Sequence, residues 1–171
     1  MSEKGPESLE ENQSDVTELW IPFDLFHYVG GSSHDSYKPS EPYHAAFAAN
    51  FGPKENVIVN GSIPEEGNAF SVKLINSKTG NTHFHVAARF KKGEIATNTK
   101  KDGSWGNEER YKPLMSFEPG QNFVMEIKNE GVAFTVFVNG KKLCSYNHRL
   151  PFNEIDVLEV RGDFNLTCIE F

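Results

Sequence analysis

The chain has 171 residues, 37 % of them hydrophobic and 12 % aromatic, with 14 Phe, which suits one compact domain and excludes a large multi-domain enzyme. No stretch reaches the roughly 20 apolar residues of a membrane-spanning helix, so membrane insertion is not expected. The formal charge is −7, and residues 1–18 carry six acids against one lysine; the remainder is close to neutral, which disfavours a nucleic-acid partner, since that needs a clustered basic surface.

Residues 1–17 are acidic, poor in apolar groups and aperiodic, so they are expected to form a disordered tail ahead of a domain spanning 18–171. The opening MSEKGPESLEENQ has neither the basic nor the apolar region of a secretory signal, so a cytoplasmic location is expected. Asn-x-Ser/Thr matches at Asn12, Asn60 and Asn165 are then chance. Cys144 and Cys168 lie far apart and form no CxxC motif, which points to reduced thiols and neither a disulfide framework nor a metal site.

From Leu19, LWIPFDLFHYV reads as an edge strand or an extended segment, because Pro22 interrupts it. A loop-rich insertion follows near 30–54, in which Phe47 and Phe51 are spaced to permit one short helical turn. The pattern then becomes regular. VIVNGSI, AFSVKLI, THFHVAARF, EIATNTK, NFVMEIK, VAFTVFV, KLCSYN and IDVLEVRG are short runs rich in Val, Ile, Phe and Thr, separated by turn residues. Asn139-Gly140 accepts the positive φ of a type I′ hairpin. No helical period is sustained over ten residues, so the fold class is all-β, a two-sheet antiparallel β-sandwich.

Alternation in THFHVAARF puts Phe84, Val86, Ala88 and Phe90 on one face and His83, His85, Ala87 and Arg89 on the other. In the next run Ile95, Thr97 and Thr99 face inward, and Glu94, Ala96 and Asn98 lie on the polar side. His85, Arg89 and Asn98 therefore share a surface. The turn-rich DGSWGNEER then presents Trp105 beside Glu108 and Arg110. An indole flanked by such groups has the chemistry of a sugar site: the apolar C–H face of a pyranose stacks on the ring, and its hydroxyls bond carboxylate and guanidinium.

These residues resemble the carbohydrate-recognition pattern of the galectins, His-x-Asn-x-Arg, an Asn on the next strand, then Trp-x-x-Glu-x-Arg, matched by His85, Arg89, Asn98, Trp105, Glu108 and Arg110. The resemblance runs from about Val57 to Phe171 and includes VIVNGSIPEEGNAFSVKL, SWGNEER, YNHRLPFNEI and GDFNLTCIEF. It implies a jelly-roll sandwich of galectin/concanavalin type that binds β-galactosides or related glycans without catalysis, metal or cofactor. Its partners would be glycans or glycoproteins, a homodimer is compatible with it, and it allows export without a signal peptide. By the resemblance, His85 and Arg89 would grip the axial 4-hydroxyl of galactose and Trp105 would stack beneath the ring. Asn98 and Glu108 would hold the 6-hydroxyl, and Glu108 with Arg110 would reach the neighbouring sugar. The first Asn of the pattern is Ala87 here, and the Pro after it is Ala88. Losing one or two neutral hydrogen bonds, at about 0.5–1.5 kcal/mol each, weakens binding about three- to a hundredfold.

Three other readings follow from the same residues. Loss of sugar binding would leave a protein-interaction module, a reading that Ala87 and the insertion favour. His83 and His85 form an HxH pair, a zinc-binding arrangement with no third ligand nearby in sequence. Glu154, Asp156 and Glu159 match the short Glu-x-Asp-x-x-Glu pattern of laminarinase-type glycoside hydrolases, which need two carboxylates close together.

Overall fold

The computed structural model describes residues 26–28 and 42–171; the acidic segment 1–17 and the part of the insertion up to residue 41 lie outside them. In chain order the strands are β1 (Phe26–Tyr28), β2 (Tyr43–Ala46), β3 (Asn56–Ser62), β4 (Ala69–Ile75), β5 (Thr82–Arg89), β6 (Glu94–Lys101), β7 (Ser104–Trp105), β8 (Glu109–Tyr111), β9 (Asn122–Asn129), β10 (Ala133–Val138), β11 (Lys141–Asn147), β12 (Val157–Gly162) and β13 (Asn165–Glu170). They form a six-stranded sheet, β1-β13-β3-β9-β10-β11, and a seven-stranded sheet, β2-β12-β4-β5-β6-β7, with β8 also on β6. Every described pairing is antiparallel.

Alternating apolar residues build this arrangement directly. β3 and β4 bury every second residue, which turns Val57, Val59, Val72 and Leu74 toward the space between the sheets. Rings span that space: Phe84 of β5 stacks on Phe134 of β10 with centroids 4.8 Å apart, and Phe70 of β4 meets Phe123 of β9 edge-on at 5.3 Å. Each such buried Phe contributes about 1.5–3 kcal/mol through removal from water.

The eight runs read from the sequence all form strands, and LWIPFDLFHYV supplies the edge strand β1. Where the spacing of Phe47 and Phe51 permits a helical turn, the chain instead forms β2 and a following loop. The two rings are in contact, at 5.1 Å. They sit against the core because the backbone amide of Phe47 donates to Asp156 and that of Phe51 to Ile155. Asn139 and Gly140 take φ values of 49° and 77°, as a type I′ turn between β10 and β11 requires.

Candidate functional site

Side chains project from the outer face of the seven-stranded sheet in rows set by the register. One row runs His44, Glu159, Lys73, His85 and Asn98 across β2, β12, β4, β5 and β6. The next runs Arg161, Ser71, Ala87, Ala96 and Arg110, ending on β8. In the third, Arg89 faces Glu94 across the β5–β6 hairpin. A strip of small side chains, Ser71, Ala87 and Ala96, therefore separates the histidine row from the arginine row, and no carboxamide stands where the galectin pattern has one.

Arg89 is clamped by two carboxylates. Its Nη1 donates to Glu94 at 2.9 Å and to Glu108 Oε1 at 3.0 Å, and its Nη2 donates to Glu108 Oε2 at 2.6 Å. Arg110 Nε adds a bond to Glu108 Oε1 at 2.7 Å. The bonds from Arg89, then those from Arg110, hold the Glu108 carboxyl down to about 2, and the Arg89 guanidinium is correspondingly pushed up by Glu108 and Glu94. The cluster thus presents guanidinium donors and a permanently ionised carboxylate side by side, fixed by charge-assisted bonds. Glu94 belongs to it, although the sequence pattern singles out only Glu108; its place opposite Arg89 at the hairpin mouth was the available signal.

Trp105 is 47 % exposed. Its ring lies 5.0 Å from the His85 ring at an interplanar angle of 59°, and Lys100 Nζ stands 5.9 Å from the indole centroid. Burial, then the Lys73 and Arg89 cations, pushes the His85 imidazole down to about 4. It is therefore neutral near pH 7 and offers one donor and one acceptor nitrogen.

This has a stability consequence of defined sign. The unfolded chain takes up a proton on His85 near its ordinary value of 6.5, whereas the folded chain does so only near 4. Stability is therefore lost as pH falls from 6.5 toward 4, by about 2 kcal/mol between pH 7 and pH 5 from this group. His83 and His148, also pushed down by burial, act in the same direction. Urea unfolding at the two pH values is expected to show a lower midpoint at pH 5, and an unchanged or higher midpoint would contradict the assignment.

Asn98 shares the face of His85 by register, but it is only 6 % exposed, because the β7–β8 segment folds over it. Its Nδ2 donates to the Gly106 carbonyl at 2.9 Å, and its Oδ1 accepts from the Thr99 amide at 2.8 Å and from Arg149 Nη1 at 3.3 Å. Its carboxamide is thus engaged within the protein, unlike the open groups of Trp105 and Arg110.

His83 does not share the solvated face. The β5 register shifts between Thr82 and His85, and at this bulge His83 is 1 % exposed, 3.8 Å from Glu154. Among the described residues no three His, Cys, Asp or Glu side chains are grouped to hold a metal ion.

The hydrolase-like carboxylates have separate tasks. Asp156 accepts from the Ser77 amide at 2.8 Å and its hydroxyl at 2.6 Å, and Glu154 stands beside His83. Glu159 bonds Lys73 Nζ at 2.5 Å and His44 Nε2 at 2.9 Å. Burial pushes the Glu159 carboxyl up, and these two bonds more than offset it, leaving it below its ordinary range.

Among the described residues no helix is long and apolar enough to cross a membrane. The family model for galactoside-binding lectins matches residues 42–171. The chain is 33 % identical over 159 residues to the 32 kDa beta-galactoside-binding lectin of Haemonchus contortus, covering 91 % of this chain and 53 % of that protein. It is 29 % identical over 136 residues to galectin-4 of Homo sapiens, covering 79 % of this chain and 42 % of that protein. It therefore spans about half the length of these relatives. Sheep galectin-11 in complex with glycerol superposes with a TM-score of 0.69 at 28 % identity, over 78 % of this chain and 98 % of that one. The Caenorhabditis elegans galectin LEC-6 shares the fold with a TM-score of 0.73 at 18 % identity, over 88 % of this chain and 97 % of that one. With the family model spanning every strand of both sheets except β1, and every residue of the Trp105 face, the chain belongs to the galactoside-binding lectins, the galectin family.

Proposed function

We propose that the chain is a non-catalytic lectin that binds β-galactosides, or glycans built on them, on the outer face of the seven-stranded sheet. The observation that carries this reading is the half-exposed indole of Trp105 beside the Arg89–Glu108–Arg110 cluster. An apolar plate and a fixed set of donors and acceptors stand on one surface, which is what a pyranose needs. His85, Arg89, Trp105, Glu108 and Arg110 make the contacts, with Asn98 beneath the loop that carries the indole. The names of the relatives, a beta-galactoside-binding lectin and a galectin, agree with this chemistry. The separate engagements of Glu154, Asp156 and Glu159 favour a site without catalysis.

Ala87 weakens the grip on the galactose ring, because the position between His85 and Arg89 can neither donate nor accept. A glycan array with lactose titration by calorimetry tests the reading. The wild type is expected to give galactoside signals, and Ala87→Asn is expected to bind lactose about two- to tenfold more tightly, the worth of one added hydrogen bond. A blank array for both proteins would shift the reading to a protein-interaction module, which the strip Ser71–Ala87–Ala96 favours by removing polar groups from the middle of the site. Partners retained in a pull-down under excess lactose would then identify that module.

A further inference from the structure

Trp105 and Glu108, two of the residues that face the sugar in this reading, stand on a segment with little strand pairing of its own. β7 has two residues and β8 three, and the backbone between them, Gly106 to Glu108, belongs to no strand. Arg89 and Arg110 hold its Glu108 side chain, and its backbone is held in part by Arg149, which follows β11 in sequence and lies far along the chain from the loop it touches.

The Arg149 guanidinium makes bonds in three directions. Nη1 donates to the Asn107 carbonyl at 2.8 Å and to Asn98 Oδ1 at 3.3 Å, and Nη2 donates to Glu109 Oε1 at 2.8 Å. Its central carbon lies 4.6 Å from the centroid of Tyr146, a fully buried ring of β11. The Tyr146 hydroxyl is in turn 2.7 Å from Thr99 Oγ, which donates to the His83 carbonyl at 3.0 Å. Since the Thr99 hydroxyl has a single hydrogen, it accepts from Tyr146. Asn98 completes the bracket by donating to the Gly106 carbonyl, and the Gly106 amide donates to Thr99 at 2.9 Å. The carbonyls of Gly106 and Asn107 are thus both held from the side of the sheet.

Gly106 is where this bracket needs space. A Cβ there would stand 3.0 Å from Arg149 Nη1 and 3.3 Å from Asn98 Oδ1, so an alanine at this position would crowd the guanidinium and shift it by a few tenths of an ångström. The Glu109 pair is exposed and contributes little by itself. The role of Arg149 lies in the two acceptors beneath the loop, both bonded by Nη1, which the planar guanidinium lying against the Tyr146 ring aims at them; a lysine ammonium has three donors but no such plane to direct them.

We propose that Arg149 is a positioning residue of this site, acting through Asn98 and the Asn107 carbonyl to hold the backbone between Trp105 and Glu108 in its binding geometry without touching the ligand. The inference rests on the galactoside reading above, and it gives Asn98 a supporting part in place of the direct hydroxyl contact that the family pattern implies. Without the bracket the loop must be ordered at the moment of binding, and that cost falls on affinity.

The test uses the full chain in a Trp20→Phe background, which leaves Trp105 as the sole indole of the two in the sequence. Lactose affinity and acrylamide quenching of Trp105 are measured for the parent, Arg149→Ala, Arg149→Lys and Gly106→Ala. Arg149→Ala and Arg149→Lys are each expected to bind lactose at least tenfold more weakly and to quench more readily while still melting cooperatively, and Gly106→Ala is expected to move both readouts the same way by less. Lysine should not rescue, and the double change Arg149→Ala with Gly106→Ala should cost no more than Arg149→Ala alone, because both changes act on the same contact. Parent-like affinity and quenching in Arg149→Ala, or in Arg149→Lys if the former does not fold, would overturn the proposal. A parent that does not bind lactose defeats the galactoside reading alone. Quenching then still decides: increased exposure of Trp105 in Arg149→Ala sustains the positioning role, and unchanged exposure removes it.

Discussion

Trp105→Ala is expected to abolish measurable lactose binding while leaving the melting temperature nearly unchanged. The two halves of this expectation come from one observation. The indole is 47 % exposed and stands on the outer face of the sheet beside His85, so it adds little to the core, and surface changes of this kind move stability within about 0.5 kcal/mol. The same exposed plate is the apolar surface that the proposed site offers to a sugar. Truncating a central aromatic anchor costs about 2–4 kcal/mol of binding, or about thirty- to a thousandfold in affinity. Trp105→Phe retains an apolar plate of smaller area and should recover part of the loss. Calorimetric titration of the three proteins with lactose, alongside their melting curves, separates the effects. Equal affinity in wild type and Trp105→Ala would place the ligand elsewhere.

The fold was legible because its strands obey a period of two. VIVNGS and AFSVKLI alternate cleanly and form β3 and β4, with every second side chain buried. Strands whose stability comes from their neighbours were harder to read. β7 and β8 lie in a segment rich in turn residues and exist because β6 offers them a partner. β2, in YHAA, carries little strand signal of its own and is fixed by pairing with β12.

The site was legible to the extent that it follows strand alternation. His85, Ala87 and Arg89 share a face, and register puts Asn98 opposite His85. Alternation could not show the bulge that buries His83, since one unpaired residue changes which way a side chain turns. Nor could it show that Asn98 is covered. That depends on Arg149, whose distance along the chain carries no local signal, and whose guanidinium meets Asn98 only after β11 has been paired and the following segment has turned back toward β6.

Arg89→Met is expected both to destabilise the fold and to remove galactoside binding, and its pH dependence identifies the cause. Methionine keeps most of the apolar stem, so packing changes little. What is lost is the cation between Glu94 and Glu108, with three hydrogen bonds of 2.6–3.0 Å. Glu108 retains Arg110, while two carboxylates now face each other across the place of the missing guanidinium. The cost is about 1–3 kcal/mol, less than for a fully buried pair because the Arg89 side chain is 26 % exposed. The sign with pH is fixed by Glu108, whose carboxyl is held at about 2 in the folded wild type, against an ordinary value of 4.5. Its contribution is present above pH 4.5 and fades as pH falls toward 2. The stability gap between wild type and Arg89→Met should therefore be widest near pH 6 and narrow by pH 3, when measured by urea unfolding of both proteins at each pH. His85 does not cancel from the difference, because the Arg89 cation helps push its imidazole down; without that cation the variant loses less stability in acid from this group, which narrows the gap in the same direction. A gap independent of pH would mean that Arg89 contributes through the packing of its stem, and the charge cluster would then have no part in holding the site.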